Sequence, residues 1–267
     1  MRKLTQPPTP FYFYLFALVL SFCCPLLLRA QAQDRSVTVY QYRRVPPDKV
    51  EEFIKRETTH WAKVAEKAAK DKTMTFWALL EKMGGHDLPN SSNFLFVNTF
   101  PDIDKVDQVF SNPEATAGVK MADMETNSFS TTTGEYFLHE QNFAGSTKAP
   151  PEDYKYITLN YQNTNYPDSL INLEKKYWQP FIQKAMDNGQ TPQVAWGNAT
   201  FLAPVGGDAK FSTVSYDIFK SLQDALMTNW DPKTVFPVKG LGMINKLALD
   251  RPAIVVYRIV KVVMAPM

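Results

Sequence analysis

A repeated pattern of glutamates and tryptophans constrains the fold of this chain more than any other feature. A glutamate and a tryptophan stand four residues apart twice in the sequence, and another tryptophan follows each pair. The matched residues are Glu57 and Glu174, Trp61 and Trp178, and Trp77 and Trp196. They are offset by about 117 to 119 positions, which is the size of one small domain. The repeat therefore predicts two similar units within one chain.

Both units show the same predicted order of elements. A strand pattern at 37–44 or 155–162 precedes an amphipathic helix at 49–70 or 168–186, and two strands, a short helix and a last strand follow. The remaining predicted strands cover 74–83, 94–100, 136–143, 193–202, 211–219 and 253–264. We expect a first unit over 36–145, a linker over 146–152 and a second unit over 153–267. Each unit has the β-α-β-β-α-β order of a ferredoxin-like fold.

Tandem units of this layout, with a long first helix and aromatic-rich strands, resemble the dimeric α+β barrel superfamily. This superfamily includes the antibiotic-biosynthesis monooxygenases, the NIPSNAP-like proteins and the stress-responsive A/B-barrel proteins. The resemblance covers the chain after residue 32 and is one of layout. It implies an α+β fold in which two tandem ferredoxin-like units pack as a pseudo-dimeric barrel. Such pairing covers the sheet face that the helices of each unit leave bare.

The first 32 residues have the features of a signal peptide. Arg2 and Lys3 precede an apolar run at 11–28, and Ala32 ends a small-residue cleavage site. An uncleaved anchor is the alternative, because a run of 18 residues is just long enough to span a bilayer. Pro25 and the cleavage site favour removal. We therefore expect a periplasmic or secreted protein, cleaved near Ala32 and without stable membrane insertion afterwards.

Cleavage also changes the composition. Cys23 and Cys24 both lie in the removed segment, so the mature chain has no thiol for catalysis or metal binding. Loss of Arg2, Lys3 and Arg29 takes Lys+Arg from 29 to 26, against 27 Asp+Glu. A cysteine-free exported protein of this kind fits a bacterial envelope, and its charge balance predicts no nucleic-acid partner. The oligomeric state stays open between monomer and homodimer.

The repeated glutamates are the first candidate functional residues. Glu57 and Glu174 each fall on the apolar stripe of the long helix. A carboxylate in that position must be hydrogen-bonded, paired or shifted in pKa, and each of these can mark a site. The structural alternative is a bond to the tryptophan indole or to a strand-end backbone group. Presence in both copies favours the structural role.

The histidines give no metal or cofactor prediction. His60, His86 and His139 all lie in the first unit, and the counterpart of His60 is Tyr177. No pair has the spacing of metal ligands. We therefore expect neither a metal nor a cofactor.

Polar residues at alternate strand positions form the candidate ligand site. We expect them to line a cavity between the two sheets, while Tyr40, Tyr42, Leu159 and Tyr161 face the helices. A solvated interface between the halves is the alternative. The candidate ligand-binding residues are Gln41, Arg43, Trp77, Asn98, Asn160, Gln162, Trp196, Asn198 and Asp217.

No motif identifies a reaction, because the nucleophile elbow and the phosphate-binding loop are both missing from the sequence. The leading hypothesis is an exported protein that binds a small, partly apolar or aromatic ligand without catalysis. A cofactor-independent monooxygenase of the antibiotic-biosynthesis type is the alternative. The resemblance implies Asn, Trp and His activators for it, hence His60, Asn98 and Trp77. A structural envelope protein without a ligand is the third hypothesis, and enzymatic activity stays open.

Overall fold

The chain folds into a closed antiparallel barrel with helices packed against its strands. The computed structural model describes residues 34–84, 91–205 and 211–266. The barrel closes in the order β1-β3-β2-β8-β5-β7-β6-β4. Its strands are β1 Val37–Arg44, β2 Phe76–Lys82, β3 Phe94–Phe100, β4 Thr131–Gly145, β5 Tyr156–Asn163, β6 Gln193–Ala203, β7 Thr213–Phe219 and β8 Asp250–Met264.

The helices divide into two long interrupted ones and several short ones. The α-helical segments are α1 Val50–Arg56, α2 Ala62–Lys70, α3 Val106–Val109, α4 Pro113–Ala117, α5 Met121–Met124, α6 Pro167–Leu173, α7 Gln179–Asp187, α8 Leu222–Leu226 and α9 Val238–Leu247. Single 3₁₀ turns lie at Pro47–Lys49, Ile103–Lys105 and Pro151–Asp153. None of the helices in the described ranges is long and apolar enough to cross a bilayer. The signal peptide predicted over 1–32 lies outside those ranges.

The repeated glutamate and tryptophan mark a π-helical turn in each long helix. Glu57–Trp61 joins α1 to α2, and Glu174–Trp178 joins α6 to α7. In both turns the glutamate is buried. A π-helical turn inserts one residue into the helix and recurs at functional sites. The sequence repeat therefore corresponds to a repeated local backbone geometry.

The mixed α+β class is confirmed, and the predicted strands lie close to the observed ones. β1 and β3 have the predicted bounds, whereas β4 begins at Thr131, five residues before the prediction. The added residues, 131–135, pair with β1 but lack the apolar alternation that signals a strand. Within the barrel, the first four strands are ordered β4-β1-β3-β2 and the last four β8-β5-β7-β6. β2 pairs with β8 and β4 with β6.

The barrel interior is filled by aromatic and aliphatic side chains from both halves. Tyr40, Tyr42, Leu159 and Tyr161 belong to this cluster, and the Tyr42 and Tyr161 hydroxyls are hydrogen-bonded to each other. The prediction that these four face the helices is therefore wrong. Alternation separates the two faces of a strand but does not tell which layer covers each face, since a barrel strand is covered on both.

One close approach in the interior depends on a glycine. A Cβ at Gly197 would lie 2.3 Å from the Tyr216 ring, so any other residue would displace that ring. The Tyr216 hydroxyl donates to Glu140 at 3.3 Å. Burial raises the pKa of Glu140 from 4.5 to about 7, against the effect of the Tyr216 hydrogen bond. The interior thus holds a hydroxyl–carboxyl pair in addition to the hydrogen-bonded hydroxyls of Tyr42 and Tyr161.

The opposite face of the first-half sheet packs against α1 and α2. Phe53 on α1 meets Phe94 on β3, with ring centroids 4.8 Å apart. Phe96, Trp77 and their neighbours join the same cluster with α2. Burying one such aromatic side chain stabilises a fold by about 1.5–3 kcal/mol. The first half therefore has a dense core between helix and sheet.

Candidate functional site

A cavity of about 400 Å³ lies between the helices and the sheet of the second half. Its floor is polar and comes from three strands. These floor residues are Asn160 and Gln162 on β5, Gln193 on β6, and Ser215 and Asp217 on β7. Trp196 on β6 completes the floor. We call this space the helix–sheet cavity.

The roof of the helix–sheet cavity is more apolar. Trp178 from the π-helical turn and Trp230 lie with ring centroids 6.2 Å apart, and α9 contributes Leu241, Ile244 and Asn245. A Cβ at Gly240 would lie 2.5 Å from the Tyr177 Cβ. The glycine therefore lets α9 pack directly on the π-helical turn that carries Glu174.

The cavity exists because small polar residues replace bulky ones at matched positions of the two sheets. In the first half Phe96 pairs with Gln41 and with Leu79. In the second half Ser215 holds the same place, between Asn160 and Asn198. The next pair along repeats the change, because Thr213 takes the place of Phe94. The volume that two phenylalanine rings fill in the first half is thus open in the second.

Asp217 is the carboxylate at the cavity floor. Asn160 Nδ2 donates to its Oδ2 at 2.9 Å, and Gln193 Nε2 donates to its Oδ1. Desolvation raises the pKa of Asp217 from 3.8 to about 6, although both amide hydrogen bonds act to lower it. The side chain keeps partial solvent contact. Asp217 is therefore a carboxylate that changes protonation just below neutral pH.

Glu174 links the long helix to the sheet. Asn198 Nδ2 on β6 donates to Glu174 Oε2 at 2.6 Å, and Asn142 Nδ2 on β4 donates to Asn198 Oδ1 at 3.0 Å. Asn198 is fully buried. The expected partner of the repeated glutamate was an indole or a backbone group, and here it is a strand amide.

Gln162 presents a buried acceptor to which none of the described residues donates. Its Nε2 donates to Ser215 Oγ at 3.3 Å. Its Oε1 is buried without a hydrogen bond to any described residue, and the side chain is 4% exposed. An unsatisfied buried acceptor costs about 1–3 kcal/mol, so a donor from a ligand would remove a penalty at this point.

The corresponding region of the first half is closed by its own side chains. Thr126 Oγ1 donates to Glu57 Oε1 at 2.7 Å. Arg43 donates to Asn127 Oδ1 at 2.7 Å and to Ser130. Burial raises the pKa of Glu57 from 4.5 to about 7, and the Thr126 bond and the Arg43 charge oppose this rise. The first half thus supplies both a donor and a cation to its repeated glutamate.

The structure divides the predicted ligand residues between the two halves. Asn160, Gln162, Trp196 and Asp217 meet at the helix–sheet cavity, and Asn198 lies beside it through its bond to Glu174. The first-half members are Gln41, Arg43, Trp77 and Asn98. Gln41 donates to Glu135 at 2.9 Å, Arg43 to Asn127, and Trp77 packs in the first-half core.

The predicted location of the cavity, between the two sheets, is wrong for these residues. The polar strand positions face the helices, as the contacts of Asn198 with Glu174 and of Arg43 with Asn127 show. Most of the barrel interior between the two halves is occupied by the apolar interior cluster. Each strand has one face covered by helices and one face covered by the barrel interior. The sequence pattern does not show which face meets which layer, because tertiary contacts decide this.

Of the catalytic candidates of the first half, Trp77 on β2 and Asn98 on β3 are cross-strand partners. Nδ1 of His60 and Oδ1 of Asn98 are both buried without a hydrogen-bond partner among the described residues. The two groups are therefore not bonded to each other. Trp77 lies 6.0 Å from Phe96 between ring centroids, within the packed core. His139 Nδ1 lies 3.0 Å from Ser36 O, and His86 lies outside the described residues.

Several cavity residues were not predicted from the sequence. Gln193 stands at the first position of β6, and Trp230 and α9 belong to the connection before the last strand. The presence of two aromatic residues, Trp230 and Phe236, was the available sequence signal that part of this connection is packed, and their ring centroids lie 4.9 Å apart. Without strand pairing, nothing in that connection indicates contact with Trp178.

A second cavity of about 250 Å³ opens at one end of the barrel interior. Tyr42, Tyr161 and Tyr257 face it, together with Lys82 and Phe211. Among the described residues, none of those predicted for ligand binding lines this cavity. Over the same described ranges, no group of His, Cys, Asp and Glu is placed to hold a metal ion.

Comparison with known proteins shows the fold. No protein-family model matches the chain, and no curated protein is similar to it in sequence. A monooxygenase-like protein from Lactobacillus acidophilus NCFM superposes with a TM-score of 0.59 at 9% identity, over 86% of this chain and 96% of that one. An anthrone oxidase-like protein gives 0.52 at 12% identity, over 88% and 95%. A monooxygenase-like protein from Fusobacterium nucleatum gives 0.52 at 8% identity, over 86% and 94%. The chain therefore shares the α+β barrel of these proteins.

Proposed function

We propose that this protein binds a small, partly aromatic organic molecule in the helix–sheet cavity of its second half. The observation that carries the proposal is the cavity itself, which holds about 400 Å³ where the matched space of the first half is filled. Small-molecule sites have this size and combine apolar walls with a few placed polar groups. Trp178, Trp196 and Trp230 supply the walls, and Gln162 and Asp217 supply acceptors.

Fluorescence quenching tests the proposal. Three of the five tryptophans line the cavity, so a bound aromatic probe such as 1-naphthol should quench more than half of the emission. Ser215→Phe places the first-half side chain in the cavity and should weaken binding about 100-fold or more, because the ring occupies the site of the probe.

The matched control is Phe96→Leu in the first half. It loosens the packed core without touching the helix–sheet cavity, and the probe affinity should stay within about twofold of the parent value. Equal probe affinity in Ser215→Phe and the parent chain would refute the cavity as the binding site.

Cofactor-free oxidation of a carbon acid is the second candidate function. Two observations favour it: the fold shared with monooxygenase-like and anthrone oxidase-like proteins, and the near-neutral pKa of Asp217, about 6, at the cavity floor. A base acts best when its pKa lies near the working pH. Asp217 would take the proton from an activated C–H of the substrate. The electron pair left on carbon would then reduce molecular oxygen and form a C–O bond, the peroxide would take the proton back from Asp217, and loss of water with the second hydrogen on that carbon would leave a carbonyl.

Oxygen uptake with anthrone tests this second function. Asp217→Asn should abolish anthrone-dependent uptake, because the amide cannot accept the proton, while His60→Ala should leave it intact. Loss of uptake in His60→Ala with retention in Asp217→Asn would place the chemistry in the first half instead. No uptake in the parent chain would leave binding as the function.

We further propose that the barrel consists of two ferredoxin-like units, 36–145 and 153–267, joined by the linker 146–152. The strand orders β4-β1-β3-β2 and β8-β5-β7-β6 support this division. The proposal predicts that a single proteolytic cut within the linker leaves the two fragments associated. Dissociation of the fragments in native mass spectrometry would argue against it.

Export is also a proposal and rests on the N-terminal sequence. We propose cleavage near Ala32 and a periplasmic or secreted location. The mass of the protein isolated from its own cells tests this, because removal of the first 32 residues changes the mass by a defined amount. A full-length mass would favour retention of the segment.

A further inference from the structure

We propose that the helix–sheet cavity recognises an organic ammonium ion, in which a protonated amine is attached to a flat aromatic body. The inference rests on the proposed function, since it names the class of ligand for the same cavity.

The charge of the cavity is the first argument. Asp217 and Glu174 both line it, and none of the lining residues that the structure describes is basic. Within the described part of the chain, Asp217 forms no ion pair. A partly buried carboxylate is costly without a nearby positive charge. A cationic ligand would provide that charge.

The geometry of Asp217 leaves room for such a ligand. Asn160 and Gln193 each donate one hydrogen bond to a different carboxylate oxygen. A carboxylate oxygen can accept about two hydrogen bonds, so each still has an open acceptor position. The amides hold the carboxylate in place and do not neutralise it.

Gln162 supplies a second acceptor. The Gln162 side chain lines the cavity, and its Oε1 is buried and has no partner in the described ranges. An ammonium group has three donors and no acceptor. It can therefore donate to Asp217 and still has donors for another acceptor of the floor, which a ligand lacking donors cannot do.

The tryptophans of the cavity can contact both the aromatic ring and the ammonium charge of the ligand. Trp178, Trp196 and Trp230 line the cavity. Aromatic faces attract a nearby cation, and the attraction is stronger when the site is desolvated. The same faces stack against a flat aromatic ring.

The first half provides an internal comparison. Arg43 pairs with Phe94 on β3, and at the matched position of the second sheet Gln162 pairs with Thr213. The Arg43 charge acts on the repeated glutamate of its own half. The second half therefore has a neutral side chain where the first half has a guanidinium, and the cation is left for a ligand to supply.

Calorimetry with three indole probes of similar size tests the inference on the full chain. Tryptamine carries a positive charge, tryptophol is neutral and indole-3-acetate is negative. Tryptamine should bind about tenfold or more tightly than tryptophol, and indole-3-acetate more weakly still. Asp217→Asn should reduce tryptamine affinity about tenfold and leave tryptophol affinity within about twofold.

A second variant imitates the first half. Gln162→Arg supplies the cation internally and should remove tryptamine binding, while thermal unfolding of the variant stays cooperative. Glu57→Gln is the matched control, because it removes a buried carboxylate of the first half and should leave tryptamine affinity unchanged.

The affinity should also depend on pH. Glu174 is the other titratable group among the described residues that face Asp217 in the cavity. Protonation of Asp217 below pH about 6 removes its charge, so tryptamine affinity should fall as the pH drops through this value.

The outcomes separate the two proposals. Equal or tighter binding of tryptophol, with no effect of Asp217→Asn, overturns the ammonium inference and leaves the cavity proposal standing. No binding of any indole probe also overturns the ammonium inference. The cavity proposal is then judged by the 1-naphthol experiment with Ser215→Phe alone.

Discussion

The two halves of the barrel solve the same packing problem with different side chains. In the first half, the space between the long helix and the sheet holds Phe53, Phe94 and Phe96. In the second half, Thr213 and Ser215 stand where the two strand phenylalanines stand in the first. A cavity of about 400 Å³ is the result. The comparison shows that small polar side chains at matched strand positions leave a cavity where bulky aromatic ones fill the space.

The repeated glutamates differ in the same way. Glu57 accepts a hydrogen bond from the Thr126 hydroxyl and lies near the positive charge of Arg43. Glu174 accepts a hydrogen bond from the side-chain amide of Asn198 on β6 and lines the cavity. The π-helical turn sets the position of the carboxylate in both halves. The residues packed around it determine whether this position is part of the core or of the cavity wall.

The largest expected effect comes from removing the first-half core. Phe96→Ala should lower the free energy of unfolding by about 3–5 kcal/mol, because the deleted ring leaves a void beside Phe53 and Trp77. Ser215→Ala, at the matched position, should cost less than about 1 kcal/mol. Urea denaturation measures both. Equal losses would mean that the second half is packed as densely as the first.

A second difference concerns pH. The pKa of Glu57 is raised from 4.5 to about 7, so its contribution to stability is fully present below pH 4.5 and is lost as the pH rises through 7. Glu57→Gln stays neutral and should gain on the order of 3 kcal/mol relative to the parent chain between pH 4 and pH 8.

Asp217→Asn is the matched variant for this second difference. The Asp217 pKa is raised from 3.8 to about 6, so its pH dependence should fall in a lower window, between those two values. Chemical denaturation at several pH values checks both variants. A pH-independent difference between Glu57→Gln and the parent chain would contradict the assignment.

The roof of the cavity gives a third test. Gly240→Ala places a Cβ 2.5 Å from that of Tyr177, so α9 must move outward. We expect a loss of about 1–3 kcal/mol in the free energy of unfolding, together with weaker binding of 1-naphthol. Gly242→Ala is the control, because a Cβ there has nothing described within 4 Å. Identical behaviour of the two variants would show that α9 is not seated on the π-helical turn.

The smallest expected effect is the difference in stability loss between replacing Arg43 and replacing Gln162 by methionine. Arg43→Met removes two hydrogen bonds and the cation near Glu57, and should cost about 2 kcal/mol. Gln162→Met removes one bond of 3.3 Å and an unpaired acceptor, and should change stability by less than about 1 kcal/mol. Thermal unfolding compares them. A larger loss of stability in Gln162→Met than in Arg43→Met would contradict the expectation that the first half depends more on this position.

The sequence predicts the elements of this fold well and the placement of its site only in part. The bounds of β1 and β3 follow from apolar alternation, and the repeat of Glu57 and Glu174 predicts two similar long helices. Four cavity residues, Asn160, Gln162, Trp196 and Asp217, were also identified as candidates. The prediction that their side chains face the other sheet was wrong. Alternation separates the two faces of a strand but does not show which layer covers each face.

Other parts of the site could not be predicted for a physical reason. The π-helical turns were not predicted, because the helical spacing of apolar residues does not reveal where a single residue is inserted. Trp230 reaches the cavity through a connection without periodicity, and Gln193 stands at a strand end. The asymmetry between Phe96 and Ser215 is visible in the sequence, but it becomes meaningful only when strand pairing shows that the two positions match.

Closure of the barrel has a consequence for the integrity of the chain. β2 pairs with β8 and β4 with β6, so each half separated from the other would expose two strand edges. Unpaired edges are templates for pairing with other molecules. A fragment ending near the linker should therefore self-associate, whereas the described barrel leaves no strand open. Closure of the barrel thus removes strand edges that could pair with another molecule.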